Sequence, residues 1–179
     1  AAGQFNHGPV HVHEFLASNA NGLKDEDGDS SDWIEIWNGS SATVDLAGWY
    51  LSDDLSNLGR WALPSTIVPA GGALIVFASG KDRDNPDGLL HASFSLEQDG
   101  GYLALVDPDG STVLSEYTYA DQSEDISYGE LGSARSRGYL ETPTPGWKNG
   151  GSQSPEGPAE NAQFDRTGGL FSNSTTLTI

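Results

Sequence analysis

The seven residues DWIEIWN, 32–38, decide the fold. Successive side chains of an extended chain point to opposite sides, so Ile34 and Ile36 share one face and Trp33, Glu35 and Trp37 the other. Outward from this stretch, VHVHEFLA (10–17) alternates in the same way. ALIVFAS (73–79) is a continuous apolar run, the pattern of a strand buried on both faces. YLALVDPDGSTVLSEY (102–117) reads as two strands joined by a turn at Asp107, Pro108, Asp109 and Gly110, and PAGG (69–72) is a further turn. No stretch shows a sustained 3.6-residue period with a cap. Short strands at close spacing predict an all-β fold, an antiparallel β-sandwich.

Composition narrows the function classes. The 179 residues carry 26 acidic and 8 basic side chains, a formal net charge of −18. Such a polyanion is repelled by nucleic-acid phosphates and anionic membrane surfaces, which argues against nucleic-acid binding. The same charge favours divalent cations and suits a salty medium. The absence of cysteine excludes disulfides, thiolate nucleophiles and Cys-ligated zinc together. No run of 18 apolar residues is present to insert in a membrane as a helix. The chain opens at Ala1 without methionine, as a mature form or an excised fragment would. A cysteine-free, acidic chain rich in Gly, Asp, Asn, Ser and Thr fits an exported bacterial module, extracellular or at the cell surface.

Eight ordered blocks carry a family resemblance: HEFLASN (13–19), DEDGDSSDWIEIWN (25–38), VDLAGWYLSDD (44–54), WALP (61–64), VPAGGALIVFASGKDR (68–83), GGYLALVDPDG (100–110), DISYG (125–129) and TPTPGWKN (142–149). Together they resemble the bacterial lamin tail domain, an immunoglobulin-like β-sandwich. The departure is His13, where that family usually has Asn before Glu-Phe. The resemblance implies an interaction or structural module of a large exported protein, with no assigned catalytic residues. It covers a sandwich domain (9–149) after an N-terminal extension (1–8); the shift in composition near Asn149 then marks a flexible linker (150–163), and renewed alternation a tail strand or the start of a following β module (164–179).

Four constellations are candidates for function. Asp25, Asp27, Asp29 and Asp32 lie in KDEDGDSSDW (24–33), and closely spaced carboxylates can give Ca2+ several of its six to eight oxygens. Counted from Asp25, the sixth and twelfth positions hold Ser30 and Ile36, so the loop is no EF-hand. The alternative is a solvated acidic turn. Trp33, Glu35 and Trp37, opposite the core-directed isoleucines, form a candidate stacking platform for polysaccharide, or pack under neighbouring chain. His11 and His13 share a strand face, but zinc needs a third ligand, and neither His7 nor His91 is supported as one. Thr175, Leu177 and Ile179 could add a strand to a second copy. Lys81 and Arg83, in SGKDRDNPDG (79–88), would neutralise Asp82, Asp84 and Asp87 or meet an acidic partner. Glu14, on a strand, is expected to be an internal hydrogen-bond acceptor. No Gly-x-Ser-x-Gly elbow or other hydrolase signature occurs. The expected function is therefore a non-catalytic module contacting neighbouring domains or other subunits, with a sugar-binding module and a self-assembling subunit as alternatives.

Overall fold

The structure, a computed structural model, describes residues 8–132, 135–149 and 153–154. It has no helix in these residues and builds two principal antiparallel sheets. The larger sheet takes the order β13 (Gln153–Ser154), β12 (Ser136–Leu140), β11 (Ser127–Leu131), β1 (Val10–Leu16), β2 (Asp32–Asn38), β7 (Ala73–Ala78) and β8 (Leu90–His91). The smaller takes the order β10 (Val113–Tyr119), β9 (Gly101–Val106), β4 (Tyr50–Ser52) and β5 (Trp61–Ala62). A short ribbon of β3 (Val44–Asp45) and β6 (Ile67–Val68) completes the set. All pairs are antiparallel except β7 with β8. The all-β sandwich expected from alternation is the fold found.

The expected hairpin forms around Asp107–Gly110, where Gly110 N–H donates to Asp107 C=O and Gly110 takes a φ of 71°. Asp109 ties the turn by accepting from the backbone of Ser111 and Thr112. Between the sheets, Val12, Ile34, Ile36 and Val76 meet Leu51, Leu103, Leu105 and Tyr117, all fully buried. This apolar interior is the main source of stability, at about 25 cal/mol per Å² removed from water.

One irregularity positions everything that follows. The register of β1 against β2 shifts between Val12 and Glu14, leaving His13 as the extra residue of a bulge. The shift changes the parity of β1: Val10 and Val12 face the core before it, Phe15 and Ala17 after it. On its other side β1 pairs with β11 only at Glu14 and Phe15. Beyond that point the opposite sheet takes over, as Val12 N–H donates to Ser115 Oγ and Val12 C=O accepts from the Tyr117 hydroxyl. Backbone groups that lose a ladder partner in a dry interior need such replacements. Gln153 and Ser154, within the segment read as a flexible linker, pair with Leu140 and Tyr139 at the sheet edge. Thr175, Leu177 and Ile179 lie outside the described residues.

Candidate functional site

The acidic loop is organised by Asp25. Gly28, with a φ of 85°, closes a turn by donating to Asp25 C=O, and no other residue tolerates that angle as well. Asp25 Oδ1 accepts from the amides of Asp27 and Asp29, and Oδ2 accepts from Ser31 Oγ. The loop thus turns three carboxylates inward, and what they meet is Lys81. Its Nζ lies 2.6 Å from Asp25, 2.7 Å from Asp27 and 2.9 Å from Asp29. Arg83 adds bonds to Glu26 and Asp27, each at 2.7 Å. Burial pushes the Asp25 carboxyl up, but the Lys81 ammonium, Ser31 and the loop amides outweigh it and hold it far below the usual carboxylate range. The three aspartates in turn raise the Lys81 pKa, so the ammonium stays charged.

Two expectations change here. Asp32 does not join the cluster: it accepts from the Asn19 amide, and burial raises its pKa to about 6. Lys81 and Arg83 do not neutralise Asp82, Asp84 and Asp87 but reach back to 24–29; Asp82 instead accepts from the Trp61 indole. The pairing partners are more than 50 residues apart in sequence, whereas local sequence offers only the nearest carboxylates.

The outer face of the large sheet is equally altered. Trp33 and Glu35 do point away from the main core, as alternation requires, yet they are 1% and 0% exposed. Of the two readings of this pair, packing under neighbouring chain is the one Trp33 takes. Trp33 packs with Leu16, Phe77 and Ile75 and lines a cavity of about 250 Å³ under Pro143 and Pro145. Trp37 is half-buried, 5.3 Å from the His13 ring.

The segment 142–149 is what covers this face. Thr144 donates its amide and hydroxyl to the two oxygens of Glu14, and Ser127 adds a hydroxyl to the same carboxylate. Gly146 N–H donates to Glu35 Oε2 at 2.6 Å. Asn149 Nδ2 spans the carbonyls of His13 and Glu130. A Cβ on Gly129 would fall 2.4 Å from His13 O and 3.0 Å from Asn149 Nδ2, so only glycine lets these three chains meet. Glu14 is thus the internal acceptor its strand position predicted. Glu35, beside it in register, is pushed up to about 8 by burial, against the Gly146 amide, with the Glu14 charge adding to the rise. The strap's bonds to Glu14, Glu35 and His13 link residues over 100 apart, so no local pattern announces them.

A third cluster occupies the cleft where β1 and β11 part. His11 Nε2 lies 3.2 Å and His13 Nδ1 3.9 Å from Glu130 Oε2, with Arg135 Nε at 3.5 Å. Burial raises the Glu130 carboxyl, and the two histidines and Arg135 bring it down to about 2. Glu130 carried no sequence signal, being recruited by sheet register alone. His91, weighed with His7 as a partner for the histidine pair, is elsewhere: it bonds Ser79 and Glu26. His7 lies outside the described residues.

This geometry, a bulged first strand in a sandwich with an acidic loop before β2, accompanies a decisive sequence match. The family model of the Lamin Tail Domain matches residues 4–121, more than half of the chain. The chain belongs to the lamin tail domain family. No curated protein matches it. The strap and the histidine cleft's Glu130 fall beyond the matched residues, so this lamin tail domain is completed by a C-terminal portion that the family model does not span.

Proposed function

We propose that this lamin tail domain is a non-catalytic structural and interaction module of an exported, cell-surface bacterial multidomain protein, contacting neighbouring domains or other subunits. The observation that supports it is where the carboxylates are spent. Asp25, Asp27 and Asp29 converge on Lys81, and Glu14 is saturated by Ser127 and Thr144. Carboxylates held by the fold's own donors in this way serve to fix loops and strap rather than to move protons on a substrate. Lys81 takes the loop-rigidifying role expected of Ca2+, and calcium would enter by displacing that ammonium. The polysaccharide reading loses its platform with Trp33 buried.

The test is turnover. The full chain, incubated with polysaccharide, peptide and phosphodiester polymers, is expected to leave all of them intact. Hydrolysis abolished by Glu14→Gln would overturn the reading. Self-assembly through 164–179 is checked separately by sedimentation: loss of a concentration-dependent species on removing that segment would establish it.

A further inference from the structure

We propose that His11, His13 and Glu130 form a binding site for a divalent transition metal of the Zn2+ class, distinct from the acidic loop. Two imidazoles and one carboxylate are a donor set suited to zinc, whereas calcium and magnesium take oxygen ligands almost alone. The ligating atoms of the three residues all lie within 4.8 Å of one another. A tetrahedral ion with legs of about 2.1 Å needs ligands about 3.4 Å apart. His11 Nε2 and Glu130 Oε2, at 3.2 Å, already hold that spacing. His13 Nδ1, at 3.9 Å from the same oxygen, must close by about 0.5 Å to satisfy it. His13 is the bulged residue, so its backbone is not held by a ladder partner on β2.

Two further observations point to a missing ligand. Glu130 is 3% exposed, and its Oε1 has no hydrogen-bond partner among the described residues; nor does His13 Nδ1. Buried polar atoms normally have a partner, and an ion held by these residues would supply one. The cleft also opens into a cavity of about 400 Å³ that Trp37, Lys148 and Asn149 help to line, leaving room for a fourth ligand from solvent. The acidic loop differs in kind, since an ammonium already sits at the centre of its carboxylates.

Metal binding rearranges three contacts. His11 Nε2, which donates to Glu130 Oε2, must release that proton to solvent or carry it on Nδ1 instead. His13 Nδ1 must give up any proton, which moves to Nε2 and breaks the long 3.4 Å bond from Asn149 N–H. Arg135, 40% exposed and 3.5 Å from Glu130, must swing into solvent. The arginine is therefore a competitor, and its removal should strengthen the site.

The probe is Zn2+ alone, titrated calorimetrically into the full chain after chelator treatment, with Co2+ visible absorption as a report on coordination. Wild type is expected to take up one Zn2+ at micromolar affinity or tighter. His13→Gln should weaken it at least tenfold, Arg135→Gln should tighten it, and Asp27→Asn with Asp29→Asn should leave it unchanged. A thermal melt in chelator shows whether each variant folds, and Arg135→Gln alone decides the matter if His13→Gln does not. No binding, equal binding by wild type and folded His13→Gln, or weaker binding by Arg135→Gln would each overturn the site.

Discussion

The loop 24–33 and the outer face of the large sheet both concentrate carboxylates, and the fold treats them differently. In the loop, three aspartates share one lysine, and two of them remain well exposed, at 40% and 64%. On the sheet, Glu14 and Glu35 lie side by side with no exposure and no cation between them. Amides and hydroxyls of the strap take the place of a counter-ion there. Near the surface a charge keeps water and needs only an organiser; inside, it must be hydrogen-bonded or neutralised. Glu35 shows the second outcome, accepting one amide and holding its proton to about pH 8.

The largest expected effect sharpens this contrast. The native Glu35 carboxyl keeps a proton that the unfolded chain releases above its ordinary value of 4.5, so native binds more protons across that interval. Its contribution is full below the lower value and is lost as pH rises through about 8. Urea unfolding at pH 5 and 8 should show a loss on the order of 3 kcal/mol from Glu35, and Glu35→Gln should remove it, leaving the smaller loss that Asp32 contributes as pH rises through about 6. A flat wild-type profile would put Glu35 in the same class as the loop aspartates.

A smaller effect tests the loop. Lys81→Met leaves three convergent carboxylates around an apolar chain end and should lower the Tm. Thermal melts should then show a calcium-dependent recovery in this variant that wild type lacks. Equal stabilisation of both by calcium would mean that Lys81 is not the resident cation. The smallest change is Asp29→Asn, expected within about 0.5 kcal/mol because the group is solvated, whereas Asp25→Asn should cost about 1–2 kcal/mol. Equal losses for the two would erase the gradient from buried organiser to exposed rim.

Strand positions, the 107–110 turn and the sandwich were legible because each follows from a period of two or from turn chemistry within a few residues. Alternation also placed Trp33 and Glu35 on the correct side of β2. It could not say that this side is dry, because the covering segment 142–149 is bonded to it across more than 100 residues. The same limit hid the partner of the acidic loop and the third member of the histidine cluster. Lys81 and Glu130 are ordinary residues in local sequence, and only the register of distant strands brings them to Asp25 and His11. His13 departs from the family pattern, but the bulge it occupies is a property of two paired strands, not of one.

The Asn149 side chain, fastened to the carbonyls of His13 and Glu130, has a mechanical meaning. Chain arriving at Val10 and chain departing after Asn149 pass within a few residues of one another on β1. Tension between flanking segments would load the two-residue pairing of β13 with β12 first and then that clasp, before it reached the core between the sheets. The first yielding step would be the peeling of β13 from β12, followed by release of the strap, with the core between the sheets still closed.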